Sequence, residues 1–309
     1  MYFRKRKPWT KNDSQILALI TPATIWYLIF CYLPMLGVVI AFKDYRISGG
    51  FINSIISSAW VGLKNFRFLF ANNAVWTIIR NTLAYNAVII VLGIVLPVTL
   101  AIIVSELWNK TAAKVYQTIM FFPYFLSWVV VSAIAMAFLS YDMGILNRFL
   151  SLFGEEKHFW YREVSLWPFF LVFMSQWKSL GYGMVIYLAA ITSQDKAVYE
   201  AAVIDGATKW QQIRRITLPL LKPVIILMFI LAVGRIFYSD FGLFYQIPRN
   251  SGALYETVTT IDVFVYYQLK NSTFSMASAA ALLQSAVSCV MILIVNQVVK
   301  KIDPDSAMI

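Results

Sequence analysis

The chain has 309 residues, of which 60% are hydrophobic and 13% charged, with a mean hydropathy of +0.69. A soluble domain carries about a quarter of its residues as charges, so a water-soluble globular protein is excluded and lipid is the expected surrounding. The formal charge of +11 points to nucleic acid only until the basic residues are placed along the chain.

Residues 1–15 form a basic N-terminus, with RKRK at 4–7 ahead of an uncharged run over 16–42. That run is too long for the apolar part of a signal peptide, and no small-residue cleavage site follows it. It reads as an uncleaved first crossing. A crossing needs about 20 mainly apolar residues. The runs 81–105, 115–141 and 276–299 qualify without a charge, 164–191 is broken only by Lys178, and 218–239 carries Lys222 at one end and Arg235 near the other. Six crossings follow: an all-α integral membrane protein with both termini on one side and a tail over 300–309. With the N-terminus inside, the cytoplasmic segments hold fourteen of the 26 Lys and Arg, and the external segments 43–77, 140–163 and 240–270 hold nine. Basic residues mark the cytoplasmic side, so topology accounts for the charge and nucleic acid is not the expected partner. Cys31 and Cys289 lie in apolar runs and are expected to be small buried hydrophobes rather than a disulfide or metal pair. His158 stands alone in a polar loop, and a metal site needs more ligands.

A polar island, EAAVIDGATKWQQIRRITLPLLKP, occupies 200–223 and falls largely in the cytoplasmic segment 192–217 between crossings four and five. Thr192 and Asp195 have capping-box spacing and predict a helix through AVYEAAVI. Gly206 follows where a left-handed C-terminal residue is wanted. Thr208 and Gln211 repeat the box and start a second short helix, while Pro219 and Pro223 suit the boundary and first turn of the fifth crossing. On the first helix Ala197, Ala201 and Ile204 share a face with Ala202 beside it, and Glu200 and Asp205 border it. Local physics leaves two readings: a helix that fills a partner's groove, or a structured loop that packs only on its own neighbours.

The pattern E-A-A-x-x-x-G followed by I-x-L-P, carried by Glu200, Ala201, Ala202, Gly206, Ile216, Leu218 and Pro219, resembles the EAA loop of binding-protein-dependent ABC importer permeases. Asp205, Ala207 and Pro223 extend the match to the carbohydrate-uptake, maltose-transporter-type branch, which often has an aromatic where this chain has Ile213. WVGLKNFRFLF at 60–70 with RNT at 80–82 looks like the stretch before the second crossing of that family. GRIFYSDFGLFYQI at 234–247 and LYETVTTIDVFVY at 254–266 are similar to its polysaccharide and complex-oligosaccharide subgroup. The resemblance implies a type I ABC importer permease (MetI-like) fold in the bacterial cytoplasmic membrane. It assigns Glu200, Ala201, Ala202, Asp205, Gly206, Ala207, Ile213, Ile216, Leu218 and Pro219 to docking on an ATPase. It implies as partners a dimer of ABC ATPase subunits, a second and related permease, and an extracytoplasmic solute-binding protein, with lipid around them. ATP and Mg would sit on the ATPase, since this chain has no G-x-x-x-x-G-K-[ST] loop and no cofactor site. No Ser/His/Asp arrangement, H-E-x-x-H helix or Cys cluster points to an enzyme or a metal.

Charges inside the crossings are the candidate solute pathway. A central Lys costs about 2.5–3.5 kcal/mol on insertion scales, so Lys178 should face protein or water. Ser175 and Tyr182 share its face. It can serve a sugar hydroxyl or uronate carboxylate, or brace backbone carbonyls. Arg235, with Tyr238 three residues on and Asp240 just beyond, poses the same pair of readings, with snorkelling to water as the structural one. The rival function is an ion-gradient-driven secondary transporter. It lacks an evident inverted repeat or a central carboxylate, and it leaves the island unexplained.

Overall fold

The computed structural model describes residues 10–302; the basic run at 4–7 and the tail beyond 302 lie outside the described residues. α1 (Lys11–Tyr27) starts on a capping box: Thr10 N donates to Asp13 Oδ2 at 2.8 Å, and Asp13 N donates to Thr10 Oγ1 at 3.3 Å. The helix continues through a π turn (Leu28–Tyr32) and a 3₁₀ segment (Leu33–Phe42). Pro34 offers no N–H to the carbonyl of Phe30 and its ring presses on that carbonyl, so the turn ahead of it widens. Strand β1 (Lys43–Asp44) pairs antiparallel with β2 (Ala59–Trp60) across α2 (Phe51–Ser57), and α3 (Lys64–Ala71) follows.

α4 (Asn73–Ser105) is capped by Asn72, whose side chain accepts from Ala74 N, and so begins before the predicted start at residue 81. Its N-terminal half presents buried polar groups to a later part of the chain. Asn81 Nδ2 donates to Glu256 O at 2.7 Å, Tyr85 Oη to Thr257 O at 3.0 Å, and Asn86 Nδ2 to Ile236 O at 2.6 Å, while Thr82 Oγ1 accepts from Ile261 N at 3.0 Å. The stretch at 80–82 thus holds 254–266, and Ser239 N, donating to Asp262 Oδ2 at 2.7 Å, ties 234–247 to the same stretch.

The third predicted crossing, 115–141, is not straight. α5 (Lys110–Phe121), a 3₁₀ turn (Phe122–Phe125) and α6 (Trp128–Leu139) meet at a 99° bend. Pro123 removes a helical donor, and Ser127 Oγ accepts from Val130 N to open the new helix. After α7 (Ile145–Leu152), α8 (Trp167–Thr192) packs along α4. Small residues allow the approach: Gly183 meets the ring of Pro97, and Gly181 lies against the backbone of Met120 and Phe121.

α9 (Lys196–Ile204) is followed by a glycine corner, after which α10 (Lys209–Gln212), a π turn (Ile213–Thr217) and α11 (Leu218–Val233) form one unbroken helix. The predicted break between the second short helix and the fifth crossing is thus corrected. Pro219 stands after this π turn as Pro34 stands after the first, and the same missing donor explains both. The helix ends at Val233, short of the predicted 239, and α12 (Phe241–Gln246), α13 (Tyr255–Val258), α14 (Ile261–Lys270) and α15 (Phe274–Ile302) complete the chain.

Three apolar clusters form the interior. One joins Tyr85, Leu171, Leu243 and Phe244, a second Val98, Met184, Tyr187 and Leu221, and a third Leu69, Ile78, Phe264 and Ala279. Among the described residues, four helices are long and apolar enough to cross a membrane (Lys11–Phe42, Asn73–Ser105, Lys209–Val233 and Phe274–Lys301), or five if the bent pair is one crossing. α8 is long enough at 26 residues, but Gln176, Lys178 and its serines and glycines dilute its apolarity. Cys31 and Cys289 are exposed, which corrects the expectation of burial.

Candidate functional site

The coupling segment is a two-helix corner. Asp195 caps α9 by accepting from Ala197 N at 2.9 Å; Thr192 is instead the last residue of α8, so the first predicted capping box is corrected to a single cap. At the other end Asp205 is the C-cap, and Gly206 adopts φ +76°. Gly206 N donates to Val203 O at 3.0 Å and Ala207 N to Ala202 O at 2.9 Å, the paired bonds of a Schellman closure. The second helix starts as predicted, with Thr208 N donating to Gln211 Oε1 at 2.8 Å and Gln211 N to Thr208 Oγ1 at 3.3 Å.

Glu200 and Ala201 are exposed, Ala202 and Ala207 half-buried, and Asp205 and Gly206 exposed at the turn. Ile213, Ile216 and Leu218 are half-buried where the corner joins the long helix, and Pro219 is exposed. α9 buries none of its residues. Ile204 is 86% exposed and Trp210, which the sequence reading did not single out, 68%. Among the described residues nothing covers this apolar face on a polar loop. Two contacts hold the corner to the body: Tyr199 Oη with Thr217 Oγ1 at 3.1 Å, and the ion pair of Lys209 Nζ with Glu106 Oε2 at 2.8 Å.

The pathway candidates divide into two groups. Lys178 Nζ donates to Tyr124 O at 2.9 Å, at the bend of the third crossing, and lies 5.4 Å from the ring centre of Tyr124 and 5.3 Å from that of Trp128. Tyr182 stacks on Tyr124 with ring centres 4.7 Å apart and planes 9° from parallel. Trp128 Nε1 donates to Asp240 Oδ2 at 2.7 Å, and Asp240 Oδ1 caps α12 through Gly242 N at 3.0 Å. One cation, one carboxylate and three aromatic rings thus form a connected group with no ion pair to Lys178 among the described residues. Ser175 is half-buried on the same helix face, one turn away. Arg235 and Tyr238 are not joined to this group. Arg235 is exposed in the turn after α11, and the Tyr238 hydroxyl bonds with Ser285 Oγ on α15 at 2.7 Å. Sequence reasoning missed Tyr124 and Trp128, whose one signal was the aromatic, proline-broken run FFPYFLSW at 121–128.

Such a group suits a polar, ring-shaped solute. Stacked aromatics take the C–H faces of a sugar, and Lys and Asp exchange hydrogen bonds with its hydroxyls. Lys178 adds an attraction for negative charge, since the groups it touches directly are a carbonyl and two ring faces, while the Asp240 carboxylate bonds to Trp128 instead.

Comparison with known proteins gives the family of the chain. Residues 93–305 match the family described as the binding-protein-dependent transport system inner membrane component. The chain is 34% identical over 292 residues to the polygalacturonan/rhamnogalacturonan transport system permease protein YteP of Bacillus subtilis (strain 168), covering 94% of this chain and 89% of that protein. It is 33% identical over 303 residues to Protein LplB of the same strain, covering 96% and 91%. A chain in the crystal structure of a bacterial ABC transporter involved in the import of the acidic polysaccharide alginate superposes with a TM-score of 0.85 at 31% identity, covering 95% of this chain and 97% of that one. A second alginate transporter structure, in complex with alginate pentasaccharide-bound periplasmic protein, superposes with a TM-score of 0.84 at 31% identity, covering 94% and 96%.

Proposed function

The chain belongs to the binding-protein-dependent transport system inner membrane components, and on that premise we propose that it is the permease subunit through which an ABC importer passes an acidic oligosaccharide into the cytoplasm. The single observation that carries the choice of solute is the Lys178 group: a cation in no ion pair among the described residues, set against Tyr124 and Trp128 with Tyr182 stacked on Tyr124, and with Asp240 bonded to Trp128 rather than to the lysine. The names of the relatives support it, since polygalacturonan, rhamnogalacturonan and alginate all bear carboxylates.

The coupling follows from the continuous helix. Lys209–Val233 spans 25 residues, roughly 37 Å at 1.5 Å per residue, and joins the glycine corner to the turn that carries Asp240. Docking of α9 and Trp210 on an ATPase dimer would grip one end of this lever. Closure of that dimer then tilts the other end, where Asp240 holds Trp128 beside Lys178, and changes the site's access from one side of the membrane to the other. ATP and Mg are held by the ATPase. The exposed apolar surface of α1 and α15 suits lipid and a second permease, which in this family encloses the pathway with the first. An extracytoplasmic binding protein delivers the sugar. Six crossings, with both termini and the segment 192–217 in the cytoplasm of a bacterial cell, complete the arrangement.

The test is uptake by vesicles that hold this chain with its partner subunits and binding protein. We expect ATP-dependent, vanadate-sensitive import of a galacturonate or alginate oligomer, and an ATP-binding subunit that co-purifies with the chain. Import that follows an ion gradient, with no such subunit retained, would instead make it a secondary transporter.

A further inference from the structure

A polar cavity lies between α6 and α12 with the loop that follows it. Its volume is about 430 Å³, within the range of small-molecule sites. α6 contributes Val129 and Ser132, and α12 with the loop after it contributes Tyr245, Gln246, Arg249 and Asn250. Ser132 Oγ donates to Gln246 O at 2.7 Å and so fixes the two walls relative to each other.

The chemistry of the walls is specific. No carboxylate lines the cavity, and Arg249 makes no ion pair among the described residues. Its planar guanidinium therefore presents several donors to an incoming anion. Asn250 Oδ1 accepts from Tyr267 Oη at 2.6 Å, a bond that leaves the amide hydrogens for another acceptor. Burial, ahead of the neighbouring phenols, pushes the Tyr267 hydroxyl above its usual range, so near neutral pH it stays a protonated donor and keeps Asn250 in this orientation. Tyr245 is braced by a stacked Phe241 with ring centres 5.0 Å apart and planes 13° from parallel. Arg249 and Asn250 both hold left-handed backbone, with φ of 52° and 56°. Non-glycine residues reach that region at a cost, and the loop is held there by the bond of Ser251 Oγ to Tyr161 O at 2.9 Å.

We propose that this cavity is a second subsite for the acidic sugar, in which Arg249 holds a carboxylate while Asn250 and Gln246 pair ring hydroxyls beside Tyr245. The assignment rests on the reading of the chain as a permease for acidic oligosaccharides. The subsite shares both its walls with the Lys178 group, because Trp128 and Asp240 stand at the first ends of α6 and α12, and Ser132 and Gln246 stand further along the same helices.

The experiment compares KM for a galacturonate or alginate oligomer with KM for its methyl ester, in vesicles of the assembled transporter and its binding protein. Losing one charge-assisted contact is worth roughly a factor of ten. Arg249→Gln is expected to raise the ratio of free-acid to ester KM by about that factor, and Arg249→Lys to restore part of it. The thiol of an Asn250→Cys variant should react with an impermeant maleimide, and the free-acid oligomer should slow that reaction. An unchanged ratio with normal uptake, or a thiol that the reagent does not reach, overturns the subsite and leaves the transport reading standing. No import of any acidic oligomer by the unaltered assembly overturns the transport reading and the subsite with it.

Discussion

Lys178 is held by one backbone carbonyl and two ring faces, at 2.9 Å from Tyr124 O and a little over 5 Å from the centres of Tyr124 and Trp128. None of these neutralises its charge, so a solute carboxylate gains more from Lys178 than a hydroxyl does. Lys178→Ala should raise KM for an acidic oligomer roughly tenfold more than for a neutral one of equal length. Equal losses in a transport assay would reduce Lys178 to a brace for the bend. The lysine was legible in the sequence because a charge in an apolar run is conspicuous. Its partners were not, because in a chain that is 16% aromatic a Tyr or Trp is ordinarily a membrane-interface anchor. Only the break at 122–127 turns Tyr124 and Trp128 toward α8.

The glycine corner shows how far capping chemistry reaches at the scale of an element. Gly206 and the Thr208 box were readable because each needs only a few adjacent residues, and both stand where expected. Thr192 misled because the end of α8 and the start of α9 compete for the same residues, and the longer helix keeps it. A side chain at 206 would meet nothing within 4 Å, so a substitution there acts through the backbone alone. Gly206→Pro demands a φ near −65° where the corner needs a positive one, while the packing of the crossings is untouched. The variant should reach the membrane in normal amount, lose the co-purifying ATPase subunit and abolish uptake. Normal docking together with normal uptake would remove the corner from the mechanism. The two π turns belong to the same scale: Pro34 and Pro219 each widen the helix before them, and a hydropathy pattern of either run carries no trace of that.

For the whole molecule, the helix of 25 residues leads from the glycine corner to the turn before α12, and α12 with the loop after it lines the Arg249 cavity. If that helix crosses the membrane as proposed, Lys209 and position 250 face opposite compartments. An impermeant amine reagent applied to intact cells should leave Lys209 unmodified, with labelling only after permeabilisation. Modification of Lys209 from outside would put the corner on the wrong face and end the importer reading.

Apolar runs of crossing length determined a helical membrane protein and the spacing around Gly206 its corner, because each rests on local composition or on contacts a few residues apart, while the permease reading came from the resemblance of the motif around Glu200 to a known family. The tertiary structure alone decided what those helices assemble. Asn81, Thr82 and Asn86 reach carbonyl and amide groups 150 residues or more away, and Trp128 reaches Asp240 across 112. Such bonds depend on how bent and continuous helices cross, which is set by glycine contacts and proline-driven breaks rather than by the apolarity of any one segment.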